Sequence, residues 1–190
     1  MNKKFNFILI IIILLSFSMI ILEQEKIHGF AIEQEVTSNV SISKTLAISF
    51  STELSNGINF GEVNFLPATN VDADKNFNDT NETLYYVEVS PDGNVPIDIC
   101  VKGDSNLINV GGDFIPLNYE TYSSSLSNNL TLPDVANEVS FTPIYFVSGN
   151  DVPLGEKLFY RFYLDVPAGQ ASGQYNNTVS FKGIAFDLTC

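Results

Sequence analysis

The chain has 190 residues, 45% of them apolar and 16% charged, with a formal net charge of −13 and a pI near 4.2. That length suits one domain plus a targeting segment, and so high an apolar fraction calls for a packed core, not a disordered chain. So acidic a balance argues against nucleic acid as a partner, because displacing phosphate counterions takes Lys and Arg, and equally against an anionic membrane surface.

Lys3 and Lys4 precede an apolar run from Phe7 to Leu22 that includes Ser16 and Ser18. A spanning helix needs about 20 apolar residues, so this run is short for a permanent anchor. It predicts a secretory signal peptide over residues 1–31, cut after Ala31 with Gly29 at the −3 position. The alternative is a retained N-terminal anchor, which would be the chain's only contact with a membrane. Residues 32–190 then form one exported domain, secreted or held at the extracellular surface. That domain keeps six basic residues (Lys44, Lys75, Lys102, Lys157, Arg161 and Lys182) and no histidine, since His28 leaves with the leader.

Period-2 alternation runs through the exported part. Val40, Ile42, Leu46, Ile48 and Phe50 share one face of a predicted half-buried strand, with Lys44 interrupting it. Ile58 and Phe60 alternate in one phase and Val63 and Phe65 in the other, so a bulge is expected at Gly61. Oxygen side chains then alternate at Asp72, Asp74, Asn76 and Asn78. Hard cations want clustered oxygens, so this is a candidate surface calcium loop, and calcium is the one cofactor the sequence suggests. It departs from an EF-hand at Phe77 and Thr83, where Gly and Glu belong. The alternative is a solvated polar loop between strands.

Tyr85, Val87 and Val89 form the next stripe, and Ile97, Ile99 and Val101 oppose Asp98, Cys100 and Lys102. Weaker strands fall around Leu107–Val110, Phe114–Tyr122 and Glu138–Val147, with Ser123–Asn129 as a long loop. Leu158, Tyr160, Phe162, Leu164 and Val166 form the longest stripe, opposite Arg161 and Asp165. Val179 and Phe181 open the last strand, whose phase is expected to change at Gly183 toward Ile184, Phe186 and Leu188. Turn signals at Ser55-Asn56-Gly57, Pro91–Asn94, Gly111–Asp113, Ser148–Asp151 and Pro167–Gly169 separate these runs. The pattern predicts an all-β fold, a two-sheet β-sandwich of Ig-like or jelly-roll type. Ile97, Ile99, Leu158, Tyr160, Phe162, Leu164 and Phe181 are the expected core.

Five sequons begin at Asn39, Asn78, Asn81, Asn129 and Asn176. The last four sit in expected loops and are candidate N-glycan acceptors, although a chain with 20 asparagines produces such triplets by chance. Cys100 and Cys190 are the only cysteines. An oxidising compartment favours their pairing, and a loop of about 90 residues would make the bond worth roughly 4 kcal/mol. Alternation puts Cys100 on a polar face and Cys190 in an inward phase, which leaves two separate thiols or an intermolecular bond through Cys190 as alternatives.

The inventory also excludes chemistry. Without histidine there is no imidazole base for a Ser or Cys nucleophile, and no zincin-type or His-bound metal site. Two cysteines alone hold neither a structural zinc nor an iron–sulfur cluster. No catalytic residues are expected, and the protein reads as a non-enzyme.

Three stretches carry a resemblance: Ile58-Asn-Phe-Gly-Glu-Val63, Gly93-Asn-Val-Pro-Ile-Asp-Ile-Cys-Val-Lys-Gly103, and Leu164-Asp-Val-Pro-Ala-Gly169 with Gly173-Gln-Tyr175 and Thr178-Val-Ser-Phe181. Their order resembles small exported archaeal β-sandwich proteins, similar in turn to TasA/camelysin-like subunits of biofilm and pilus-like filaments. That resemblance implies a subunit whose mature N-terminal segment completes the next copy as a donated strand. The expected function is a structural surface protein, with itself as partner in a homo-oligomer or filament and Val40–Phe50 as the assembly element. The alternative is a monomeric adhesion module for a glycan or protein, with Tyr85, Tyr86, Tyr119, Tyr122 and Tyr145 as its aromatic platforms.

Overall fold

The structure, a computed structural model, describes residue 37, residues 39–185 and residues 188–190. The expected leader and the inward-phase Phe186 lie outside the described residues. The chain divides into two compact units, Met1–Ser41 and Ile42–Cys190. Of the first, residues 37 and 39–41 are described; they are exposed and have no regular secondary structure. Among the described residues no helix is long and apolar enough to cross a membrane.

The second unit is a two-sheet β-sandwich with antiparallel pairing throughout. Its larger sheet contains β1 (Ile48–Phe50), β2 (Ala68–Asp72), β3 (Tyr86–Val89), β7 (Glu120–Ser125), β8 (Val139–Ser140) and β10 (Lys157–Val166). The order is β1-β3-β10-β7-β8, and β2 continues the β3 side of the long β10. The smaller sheet is β11 (Val179–Ala185), β4 (Ile97–Gly103) and β9 (Phe146–Val152), in that order. A two-stranded hairpin, β5 (Leu107–Ile108) with β6 (Phe114–Ile115), closes one end. One helical turn, α1 (Thr52–Ser55), follows β1 and is capped by Ser51 Oγ, which accepts from Leu54 N–H.

The alternating stripes meet between the sheets. Tyr85, Val87 and Val89 from one sheet and Ile97, Ile99 and Val101 from the other are buried, as are Leu158, Tyr160, Phe162 and Leu164. Phe181 is half-buried but packs on this core, its ring edge-on to Tyr160 at 5.3 Å. Fully burying one such side chain is worth about 1.5–3 kcal/mol, and this shared layer holds the two sheets together.

Several expectations give way. The Val40–Phe50 strand shrinks to Ile48–Phe50, which pairs in cis with Val87–Val89. Beyond Val89 the partner strand ends and turns at Pro91, so the ladder gives way to irregular bonds, among them Ser90 N–H to Ala47 O and Asn94 bridging Ser43 and Thr45. Val40, Ile42 and Leu46 are consequently exposed. Residues 56–65 form an irregular arm, not a bulged strand. Gly61 has φ +68°, Ile58, Phe60 and Val63 tuck inward, and Phe65 is exposed.

The expected loop Ser123–Asn129 begins as strand, since Ser123–Ser125 complete β7 against β10. The expected turn Ser148–Asp151 lies inside β9 as an irregularity. Ile97 faces Val152 while Ile99 faces Gly149, so the residues between them bulge. Buried Asp98 fills that bulge, its Oδ1 accepting Asp151 N–H at 2.7 Å. β11 keeps one register from Val179 to Ala185, so no phase change occurs at Gly183. Gly183 faces inward because Ile48 and Ile97 occupy the space its side chain would need. Ala185 is buried next on that face, and Leu188 is exposed.

Candidate functional site

The residues proposed for calcium occupy a gap in the larger sheet. β3 and β2 lie end to end along one side of β10, and the segment joining them must satisfy the backbone of Tyr160–Phe162. Asn76, fully buried, does so with its side chain. Its Nδ2 donates to Phe162 O at 2.7 Å and its Oδ1 accepts Phe162 N–H at 2.8 Å. Nδ2 also donates to Asp72 Oδ1 at 3.0 Å. Thr83 Oγ1 donates to Tyr160 O at 2.7 Å. Asp74 Oδ1 accepts from the Tyr85 hydroxyl at 2.8 Å, and burial, with Asp74 beside it, pushes that phenol well above its ordinary pKa. Asn78 Oδ1 accepts from Thr80 and Glu82 N–H. The alternation that suggested a cation thus places these oxygens on different internal donors. Among the described residues no three His, Cys, Asp or Glu side chains cluster around a metal-sized space.

Arg161, the only arginine of the chain, was expected on the polar side of β10, yet it is buried. The loop ahead of β8 folds over that face. The guanidinium donates to the carbonyls of Pro133 at 2.8 Å, Asn129 at 2.8 Å and Asn81 at 3.0 Å, and lies 4.3 Å from the Phe77 ring. Sequence alternation missed this, because it reports side-chain phase and not what covers the second face.

Cys100 and Cys190 form an intramolecular disulfide with Cα atoms 5.9 Å apart. The tension over their faces disappears with the phase change at Gly183. Cys100 points to the outer face of β4, opposite Lys182 on β11, and Lys182 Nζ holds Cys190 O at 3.0 Å on that same face. Lys102 and Lys182 flank the Tyr145 ring there at 4.9 and 4.6 Å.

Asn81, Asn129 and Asn176 are exposed and Asn78 half-buried. Thr83 of the Asn81 sequon is buried, and Asn129 Oδ1 already accepts from Thr131 and Leu132 N–H. Of the five tyrosines expected as platforms, Tyr85 and Tyr122 belong to the core; burial raises the Tyr122 phenol to about 12.

One feature has the dimensions of a binding site. A groove of about 1060 Å³ opens between the 56–64 arm and the loop before β11. Its lining mixes apolar side chains, Leu107, Ile115, Leu164, Val166, Val179 and Phe181, with polar ones such as Asn59, Gln170 and Asn176, and β11 has no strand on its groove side among the described residues. Two carboxylates, Glu62 and Glu120, lie in the lining. Glu120 is 2% exposed, and its Oε2 accepts from Asn177 Nδ2 at 2.6 Å. Burial, with Asp104 adding repulsion, pushes its pKa up to about 7, while the Asn177 bond works the other way. Sequence reasoning passed over Glu120, since one acid among 22 in an ordinary strand has no local signature.

No protein-family model matches this chain, and no curated protein matches it either.

Proposed function

We propose that the protein is a secreted or cell-surface structural subunit. It assembles with copies of itself into a filament or extracellular matrix, each copy donating its N-terminal segment as a strand to the next. The observation that supports this is the partly apolar groove beside an edge of β11 that pairs with no strand among the described residues. An open strand edge next to an apolar cleft is a template for strand addition, with main-chain hydrogen bonds along the edge and side-chain pockets behind it. The donor is the stretch ahead of β1. Val40, Ile42 and Leu46 alternate there and are exposed.

The purified exported protein tests this by electron microscopy across a concentration series, with and without calcium. Fibres are expected from the wild type. A variant with residues 32–47 deleted and β1 kept should fold and form none. Wild-type protein that stays monomeric at high concentration overturns the filament reading and favours a self-complete adhesion module.

A further inference from the structure

We propose that the folded, exported chain accepts an N-linked glycan at Asn129, from a lipid-phosphate-linked oligosaccharide, and that the neighbouring sequon at Asn81 stays bare. This rests on export, as proposed above, and not on strand donation.

The sequon Asn129-Leu130-Thr131 lies on a tight turn that Asn129 and Leu132 close with backbone bonds of 3.0 and 3.3 Å. All three residues of the sequon are exposed, Leu130 at 64%. The bonds that the Asn129 carboxamide makes among the described residues fall on Oδ1, which accepts from Thr131 N–H at 2.9 Å, Thr131 Oγ1 at 3.0 Å and Leu132 N–H at 3.1 Å. That leaves the amide nitrogen open, with the Thr131 hydroxyl held beside it, so the two groups that define a sequon are presented together. Arg161 anchors the turn, its guanidinium donating to Asn129 O and Pro133 O, each at 2.8 Å. Glycan transfer forms a bond from Asn129 Nδ2 to the anomeric carbon and breaks that carbon's bond to a phosphate oxygen. The lipid phosphate leaves, and one amide proton passes to a base of the transferring enzyme.

The other loop sequons differ in position, although they match in sequence. Asn81 O and Asn129 O share one nitrogen of Arg161, which brings the two acceptors together on one face. The hydroxyl of the Asn81 sequon belongs to Thr83, however, which is 2% exposed and donates to Tyr160 O inside the sheet. An enzyme reading the folded chain therefore meets a complete sequon at Asn129 and half of one at Asn81. Asn78 has a turn like that of Asn129, its Oδ1 accepting from Thr80 N–H and Oγ1, but it is half-buried and is also held by Glu82 N–H. Asn176 is exposed but lines the groove, and its backbone bonds Ile108 in both directions. Asn129 is not part of that lining, so a glycan there is not built into the groove.

Peptide mapping of the exported protein by mass spectrometry tests this, since enzymatic deglycosylation turns a used asparagine into aspartate. Asn129 should be marked, and Asn81 and Asn176 should not. Thr131→Val should abolish the glycan and its shift in electrophoretic mobility, whereas Thr131→Ser should keep both. Thr131 is exposed, so the fold should survive either change. Unmodified protein, folded with its disulfide intact, should take glycan at Asn129 from an oligosaccharide transferase of relaxed specificity and a lipid-phosphate-linked oligosaccharide. Asn81 should accept only once the chain is reduced and unfolded. Exported protein bare at Asn129, or glycan on Asn81 of the folded chain, overturns the assignment and leaves export standing. Protein found only inside the cell overturns both.

Discussion

Asn76 grips Phe162 by both ends of its amide, donating to the carbonyl at 2.7 Å and accepting the N–H at 2.8 Å. A side chain here does what a neighbouring strand does elsewhere, at the point where β2 has ended and β3 has not begun. Replacement with Ala leaves the buried Phe162 N–H without a partner, at about 1–3 kcal/mol, while Phe162 O keeps the Ala73 N–H at 3.1 Å. Asn76→Ala should therefore cost about 1–3 kcal/mol in urea denaturation. Asn76→Asp should be no better at pH 7, since a carboxylate has no proton for Phe162 O and faces Asp72. A loss below about 0.5 kcal/mol, the range of ordinary surface changes, would refute the role.

Arg161 gathers the carbonyls of Asn81, Asn129 and Pro133 around one guanidinium. A lysine keeps the charge but not the planar fork, so Arg161→Lys is expected to recover little of the stability lost in Arg161→Met. Loss of the fork should also free the 127–134 loop, seen as faster amide exchange and proteolysis there. Equal protection in Lys and wild-type proteins would show that charge alone suffices.

The disulfide joins positions separated by 90 residues. A loop of that size predicts a loss of about 4–5 kcal/mol for the Cys100→Ala, Cys190→Ala double variant. Electrophoresis without reductant should show unassembled wild type as a monomer, since both sulfurs are used within one chain. A disulfide-linked dimer would contradict the internal pairing.

Gly183 faces inward, where an added Cβ would sit 3.1 Å from methyls of both Ile48 and Ile97. Gly183→Val should cost about 1–3 kcal/mol by overpacking, and Ile48→Ala in the same chain should return part of it. A neutral Gly183→Val would mean that the position faces outward after all.

Glu120 links stability to pH. Its carboxyl titrates near 7 in the fold against 4.5 for an ordinary glutamate, so the folded state binds the extra proton between those values. The contribution is fully present below about pH 4.5 and is lost as pH rises through about 7, amounting to roughly 3 kcal/mol. Other acids titrate in this range, so the readout is the difference between wild type and Glu120→Gln. That difference should change with pH over this window and be flat above about 8. A flat difference throughout would show that the carboxyl is better solvated than its burial suggests.

Alternation in the sequence sufficed for the all-β class, for the buried stripes of β3, β4 and β10, and for the turns at Pro91, Gly111 and Pro167. Side-chain phase along a strand is a local property, and burial on one face leaves its mark within a few residues. The extent of β1, the true phase of β11, the bulge at Asp98 and the burial of Arg161 were decided by tertiary structure. Each depends on what lies across the chain: where the partner strand stops, which methyls fill the place of a glycine side chain, which loop covers the second face. The oxygen-rich run at Asp72–Asn78 shows the same limit, since composition names the donors and acceptors but only the fold brings Phe162 within reach of Asn76. Glu120 shows it most sharply, because a carboxylate's environment is made by Asn177, Asp104 and Leu164, none of which is its neighbour in sequence.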